Sequence, residues 1–295
     1  MLEWFSCPDK EVTTVKDCLA KCRMDERCLT TPYLRRISQE REWNGVASTT
    51  QLINGTMYEF LKLTQPYVAD PDKRAFMVQG SLHHESMEEM AKELGLPSEV
   101  ALSLDRDIFD LLEPDEAGGW TLSDYKLWGS YRVAKALGIV VTGKVPDPTG
   151  AVYKSSSKWG KAGTPKMILT FKQSPKDADN WETDLQLNRY RVMLEERGIK
   201  VNRMQVQVTV RDGGLAIAVG RGLDRNTYKI TIPELDNELV LSYFQDKADA
   251  LEKALADGKW DRPCNEKECW DGVRCRDYCE LARNCIKGLL YQKES

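Results

Sequence analysis

The sequence predicts a mixed α/β protein in which one large body lies between two small cysteine-rich ends. Three observations carry this reading. Hydrophobic periodicity along the middle of the chain runs helix, three strands, basic insert, helix, strand. The stretches CPDKEVTTVKDCLAKCRMDERC and CNEKECWDGVRCRDYCELARNC both read C-x10-C-x3-C-x5-C. At 295 residues the chain exceeds the usual single domain, yet one large α/β domain with appendages is within range and can bury a full core. The expected division is a cysteine module over 1–35, a body over 36–258 and a second cysteine module over 259–295.

The elements follow from local patterns. STTQLINGTMYEFLKL is helical, with Ser48 or Thr49 as N-cap. After the loop TQPYVADPDK a second helix runs from near Ala75 to Leu94, with His83, Met87, Met90 and Leu94 on one side. VALSLDRDIFDLLEPDEAGGWTLSDYKLW supplies a first strand and then an antiparallel hairpin about an acidic, glycine-bearing turn. SSSKWGKAGTP reads as a loop or flap and MILTF as a strand. NWETDLQLNRYRVMLEERG is a strong helix ended by Gly198. VNRMQVQVTV, RDGG and LAIAVG read as strand, turn and strand. In the last amphipathic helix, LDNELVLSYFQDKADALEKALADG, Val240, Phe244, Ala248, Leu251 and Leu255 share a face.

A formal charge of -4 argues against a polycation that coats nucleic acid. The distribution says more than the sum. Between Arg132 and Lys176 there are nine Lys or Arg and one acid, Asp147, so residues 132–176 form a basic insert. Tyr131, Tyr153, Trp159 and Phe171 are interleaved with it, as in grooves that follow a phosphate backbone and stack bases; a solvated loop is the plainer alternative. The start of the chain lacks a basic stretch followed by an apolar one, and no run approaches the ~20 apolar residues that span a bilayer. A cytoplasmic protein without membrane attachment is expected.

Reduced cysteines at regular spacing are more often metal ligands than disulfides. Cys7, Cys18, Cys22 and Cys28 form one candidate quartet, and Cys264, Cys275, Cys279 and Cys285 the other. Four sulfurs close a tetrahedral site and leave no position for substrate, so both are read as structural. Self-contained duplicates favour two Zn²⁺ ions, with a single iron-sulfur cluster as the alternative. Cys269 is left over, either as a buried thiol or as a substitute for Cys264.

The chemistry is sought elsewhere. LSDYK places Asp124 and Lys126 two apart on a strand, so both project from one face. The spacing recurs at Asp257 and Lys259, beside Gly258 at a helix end, where it reads as solvated surface. IFDLLEP supplies Asp110 on the preceding strand, so two carboxylates converge as a hard cation requires. In GSLHHESMEE, Gly80, His84 and Glu88 stack on one helix face, although an exposed His-Glu pair is the plainer reading of those residues alone. QLNRY puts Gln186 and Tyr190 on one helical face, able to bond a substrate or a catalytic ligand.

The ordered set GSLHHESME, IFDLL, LSDYK and QLNRY resembles the RecB-like branch of the PD-(D/E)XK nucleases, in particular phage-type and CRISPR-associated forms whose cysteines bracket the core. The resemblance covers roughly Gly80 to Val210. It implies a restriction-endonuclease-like αβββαβ core, with helical additions and the two cysteine-rich ends, and metal-dependent hydrolysis of DNA at ends or in single strands. His84, Asp110 and Asp124 would hold Mg²⁺ or Mn²⁺, with Glu88 beside His84. Asp124 and Lys126 would be the signature pair, and Gln186 and Tyr190 the QxxxY helix that contacts active site and DNA. A homo-oligomer or a recombination- or CRISPR-type protein partner belongs to the same implication. Leu127 departs from the family, which commonly has a small hydroxyl residue there. Iron-sulfur relatives take one cysteine from before the core and three from after it, spaced two and five apart. Here the spacing is three and five and the N-terminal group is complete in itself. A mixed cluster of Cys28 with Cys275, Cys279 and Cys285 is the less economical arrangement. The competing reading is a catalytically degenerate subunit that binds nucleic acid or serves in assembly. A zinc-module transcription regulator would need a basic recognition helix, which neither module shows.

Overall fold

The computed structural model describes residues 1–103, 106–157 and 160–293. Its elements are β1 (Leu2–Ser6), β2 (Val12–Thr14), α1 (Val15–Ala20), α2 (Thr31–Ser38), α3 (Thr49–Ile53), α4 (Thr56–Thr64), β3 (Tyr67–Ala69) and α5 (Ala75–Glu93). Then follow β4 (Ser98–Ala101), β5 (Ile108–Pro114), β6 (Trp120–Trp128), α6 (Ser130–Ala136), β7 (Ile139–Pro146) and β8 (Met167–Gln173). The remainder is α7 (Trp181–Glu195), β9 (Val201–Val210), α8 (Ala216–Val219), β10 (Thr227–Ile232), α9 (Asn237–Asp257) and α10 (Ile286–Lys293). No helix among the described residues is long and apolar enough to cross a membrane.

The fold is mixed α/β about a five-stranded sheet of order β10-β9-β6-β5-β4. β4, β5 and β6 form an antiparallel meander, β9 lies parallel to β6, and β10 returns antiparallel to β9. Parallel pairing of β6 with β9 requires a crossover, which α7 provides within the intervening chain. The buried inner residues of β6, β9 and α7, among them Leu122, Val206, Val208 and Leu187, make the main core. A second core joins α7 and α9 to the N-terminal elements through Leu185, Phe244, Phe5, Leu34 and Phe60. β1 pairs with β2 and with β3 in a separate three-stranded sheet, and β7 with β8 forms a two-stranded arm.

Local chemistry explains most boundaries. Ser48 and Gln51 form a reciprocal capping box that starts α3. The expected single helix STTQLINGTMYEFLKL is divided into α3 and α4, because Gly55 adopts φ +100°. A Cβ there would meet Cys264 Sγ and the Glu268 carboxyl at 3.1 Å, so tertiary approach and backbone conformation both demand glycine. Asp236 caps α9 by accepting from Leu239 N–H, and Gly258 closes it in the left-handed conformation. LAIAVG corrects the expected strand: Ala216–Val219 is a short helix, and the partner of β9 is TYKITI, whose buried and exposed residues alternate strictly. A five-residue apolar run between glycines has too few positions for its period to distinguish the two states. The side of α5 bearing Met90 and Leu94 is exposed, and Ala91 is that helix's buried residue.

Arg74, at the N-terminus of α5, ties three regions together. Its guanidinium donates to both Glu280 oxygens at 2.6 and 2.7 Å, to Ile37 O at 2.9 Å and to Tyr67 Oη at 2.9 Å. Arg74 is 5% exposed, so its loss leaves acceptors unpaired in a dry interface. Arg74→Ala is expected to destabilise the chain by about 3 kcal/mol. Urea denaturation should show a lower midpoint at an unchanged slope.

Candidate metal centre

β5 and β6 pair regularly from Pro114↔Trp120 to Leu111↔Ser123. One residue further the regular ladder gives way, and the Asp110 carboxylate accepts a 2.6 Å hydrogen bond from the Tyr125 N–H. On the other side of β5, the pairs Ser98↔Leu111 and Val100↔Phe109 flank Glu99, whose φ of +51° is left-handed. Such a conformation in a non-glycine residue costs on the order of 1 kcal/mol and re-aims the side chain. Glu99 and Asp110 thereby meet α5. His84 Nδ1 lies 3.3 Å from Glu99 Oε1 and 3.4 Å from Asp110 Oδ2. Ligand atoms from the three residues all fall within 4.8 Å of one another.

Asp124 is 1% exposed on β6. Lys126 Nζ is 2.6 Å from its Oδ2, and Gln186 Nε2 on α7 donates to its Oδ1 at 3.3 Å. Oδ2 is enclosed and makes no well-directed hydrogen bond, so the lysine charge compensates it by proximity. Tyr190, one turn beyond Gln186, is buried, and burial raises its phenol above the ordinary range while Gln186 opposes the rise.

The electrostatics match the geometry. Burial, and then the Asp124 carboxylate, push the Asp110 pKa up to about 7 against the pull of Lys126 and His84. The hydrogen bond to Glu99 raises His84; burial opposes it and the Asp110 charge adds to it. Burial alone would lower Lys126, but Asp124 and Asp110 outweigh it and hold the ammonium protonated. Burial, then the neighbouring His84, lowers His83, which stacks edge-on against Tyr125 at 5.9 Å. A divalent cation with oxygen and imidazole ligands fits this set, since it relieves the Asp110 carboxylate, which burial and the neighbouring Asp124 charge disfavour.

Other sequence candidates lie elsewhere. Glu88 is half-buried and ion-paired to Lys92, and Glu99 occupies the place beside His84 that Glu88 was expected to take. The only hint of Glu99 in the sequence is a carboxylate inside the β-prone run SEVAL. Among the described residues nothing lies within 4 Å of a Cβ built on Gly80, so that position on the helix is open. The basic insert forms α6 and the β7–β8 arm, whose Lys144, Lys154, Lys161, Lys166 and Lys172 are exposed. Tyr131 is 63% exposed, Phe171 lies against Gly222 and Tyr153 against Gly160, while Trp159 falls outside the described residues.

Cys7, Cys18, Cys22 and Cys28 line one pocket. In the C-terminal module, burial first, followed by Glu268 for Cys264, Cys269 for Cys275 and, weakly, Cys264 for Cys279, pushes each of these three thiols up to about 11. Cys269 is 1% exposed. Among the described residues no three sulfurs lie within 4.8 Å of one another.

No family model matches the chain, and no curated protein matches it. One solved structure, described as "Crystal structure of SSO0001", aligns with a TM-score of 0.40 at 12% identity over 92% of this chain and 93% of that chain. Likeness at that level carries no argument. The class that the geometry itself defines is a mixed α/β protein with a His-Glu-Asp cluster able to hold a cation.

The Asp110 value sets a pH signature. The group titrates near 7 in the fold and at about 3.9 unfolded. Between these values the folded chain binds more protons, so cation-free stability falls as pH rises. Melting curves in chelator should decline between about pH 4 and 7, and Asp110→Asn should flatten them. Added Mn²⁺ should stabilise the wild type increasingly with pH. Glu99→Gln is expected to weaken Mn²⁺ binding about tenfold, read by calorimetry.

Proposed function

We propose that the chain is a divalent-metal-dependent deoxyribonuclease of PD-(D/E)XK type, with a restriction-endonuclease-like αβββαβ core formed by α5, β4, β5, β6, α7 and β9. The observation that carries this reading is the convergence of His84, Asp110, Asp124 and Lys126 from one helix and two neighbouring strands. Strand order and the parallel β6–β9 pair support it.

His84, Asp110 and Asp124, joined by Glu99, would hold Mg²⁺ or Mn²⁺. When bound, the cation supplies Lewis acidity toward the scissile phosphate and the attacking water. Lys126, kept protonated, neutralises charge that develops on the phosphate. Gln186 fixes Asp124 against rotation, and Glu99 orients the His84 ring. The lysines of the β7–β8 arm supply phosphate contacts, and the exposed Tyr131 ring a surface on which a base can stack. DNA ends or single strands are the proposed substrates.

Labelled single- and double-stranded DNA incubated with Mn²⁺ or Mg²⁺ tests the reading. Cleavage is expected from the wild type. Lys126→Ala and Asp124→Asn should slow it by at least about 10²-fold while leaving DNA binding nearly intact. No cleavage by the wild type with either metal, together with unchanged binding by Asp124→Asn, would favour a nucleic-acid-binding subunit on a degenerate core.

A further inference from the structure

The N-terminal thiols sit apart from the candidate centre and from the C-terminal thiols. The pocket lined by Cys7, Cys18, Cys22 and Cys28 has walls drawn from Cys7 to Leu34 and takes no residue from the C-terminal module. Arg23 and Arg27 also line it.

The surrounding loop is held by polar contacts rather than by a core. Cys7 opens a tight turn in which its N–H donates to Glu11 O at 2.7 Å and Lys10 adopts φ +72°. Residues 21–30 form no helix or strand. Arg27 folds that loop back by donating to the carbonyls of Cys18, Leu19 and Ala20, and Arg23 pairs with Asp9. Over residues 1–38 the buried apolar side chains are Phe5, Cys18, Leu34 and Ile37. These four join the second core, but no side chain of residues 21–30 is buried, so the loop that carries Cys22 and Cys28 has no core of its own, which is where small modules use a metal.

We propose that Cys7, Cys18, Cys22 and Cys28 form a self-contained four-sulfur site for one soft divalent cation, zinc by its chemistry. Four thiolates around a divalent ion leave about two negative charges, and Arg23 and Arg27 are placed to offset them. Zn–S bonds of about 2.3 Å set tetrahedral sulfurs about 3.8 Å apart. Here no three of the four sulfurs lie within 4.8 Å of one another, so loading draws the loop inward, with the exposed Cys28 brought toward the buried Cys18. The site also braces α5. Leu34 of α2 lines the pocket, Tyr33 Oη donates to Ala75 O at 2.9 Å, and Arg36 pairs with Glu85 at 3.1 Å, next to His84 in sequence. This inference stands whether or not the chain cleaves DNA.

Metal analysis of the full chain tests it, comparing wild type, Cys7→Ser/Cys28→Ser and, as control, Cys279→Ser. The double variant should hold about one zinc fewer than the wild type, and the control should keep the N-terminal ion. Cys7 is half-buried and Cys28 exposed, and the buried Cys18 is left in place, so circular dichroism should still show a folded body. Should the variant fail to fold, wild-type protein loaded with Co²⁺ provides the reading: the visible bands of tetrahedral thiolate coordination are expected. Equal zinc in wild type and double variant would overturn the proposal, as would absence of those Co²⁺ bands. Iron with a visible absorption that the double variant loses would overturn the zinc assignment.

Discussion

Two carboxylates on neighbouring central strands, Asp110 and Asp124, are 8% and 1% exposed, and burial together with the Asp124 charge raises the cost of ionising Asp110. Much of the middle of the molecule is arranged around that conflict. Lys126 returns from the same strand to neutralise Asp124, Gln186 reaches in from α7, and His84 comes from α5 to face Asp110. Each contact lessens the repulsion, yet Asp110 is still pushed up to about 7. A buried pair so incompletely compensated is a poor stability device and a good cation receptor.

The fold delivers the pair by breaking its own regularity. Where β5 leaves its ladder with β6, Asp110 accepts a backbone N–H; where β4 kinks at Glu99, a second carboxylate joins His84. The first lies next to the β6–β9 pair, whose Leu122, Val206 and Val208 are buried in the core, and the second lies one strand further out, at the sheet edge. Around that frame Arg74 links α5, the N-terminal sheet and the C-terminal module in a single buried ion-pair network. α5 is thus held at its start by residues from both ends of the chain. Its outer face, with Met90 and Leu94 exposed, contributes little to the core.

Much of this was legible in the sequence where local chemistry decides structure. The Ser48 cap of α3, the existence of α7, the β4–β5–β6 meander and the approach of Asp110 to Asp124 follow from capping residues, periodicity and strand alternation. What was illegible depends on tertiary geometry. Glu99 enters the cluster through a left-handed backbone angle that no pattern announces, whereas Glu88, at helical spacing from His84, pairs with Lys92 instead. The break between α3 and α4 depends on Cys264 and Glu268, more than two hundred residues away, pressing on Gly55. β1 and β2 were hidden because the cysteine spacing dominates their short stretch.

A crystal grown with Mn²⁺ tests the central claim most directly, through anomalous scattering recorded at the manganese edge. A peak coordinated by His84 and Asp110, with Asp124 adjoining, is expected, and it should be absent from Asp110→Asn crystals grown in the same way. Well-ordered crystals with these side chains in place and no peak there, or with manganese held elsewhere, would contradict it.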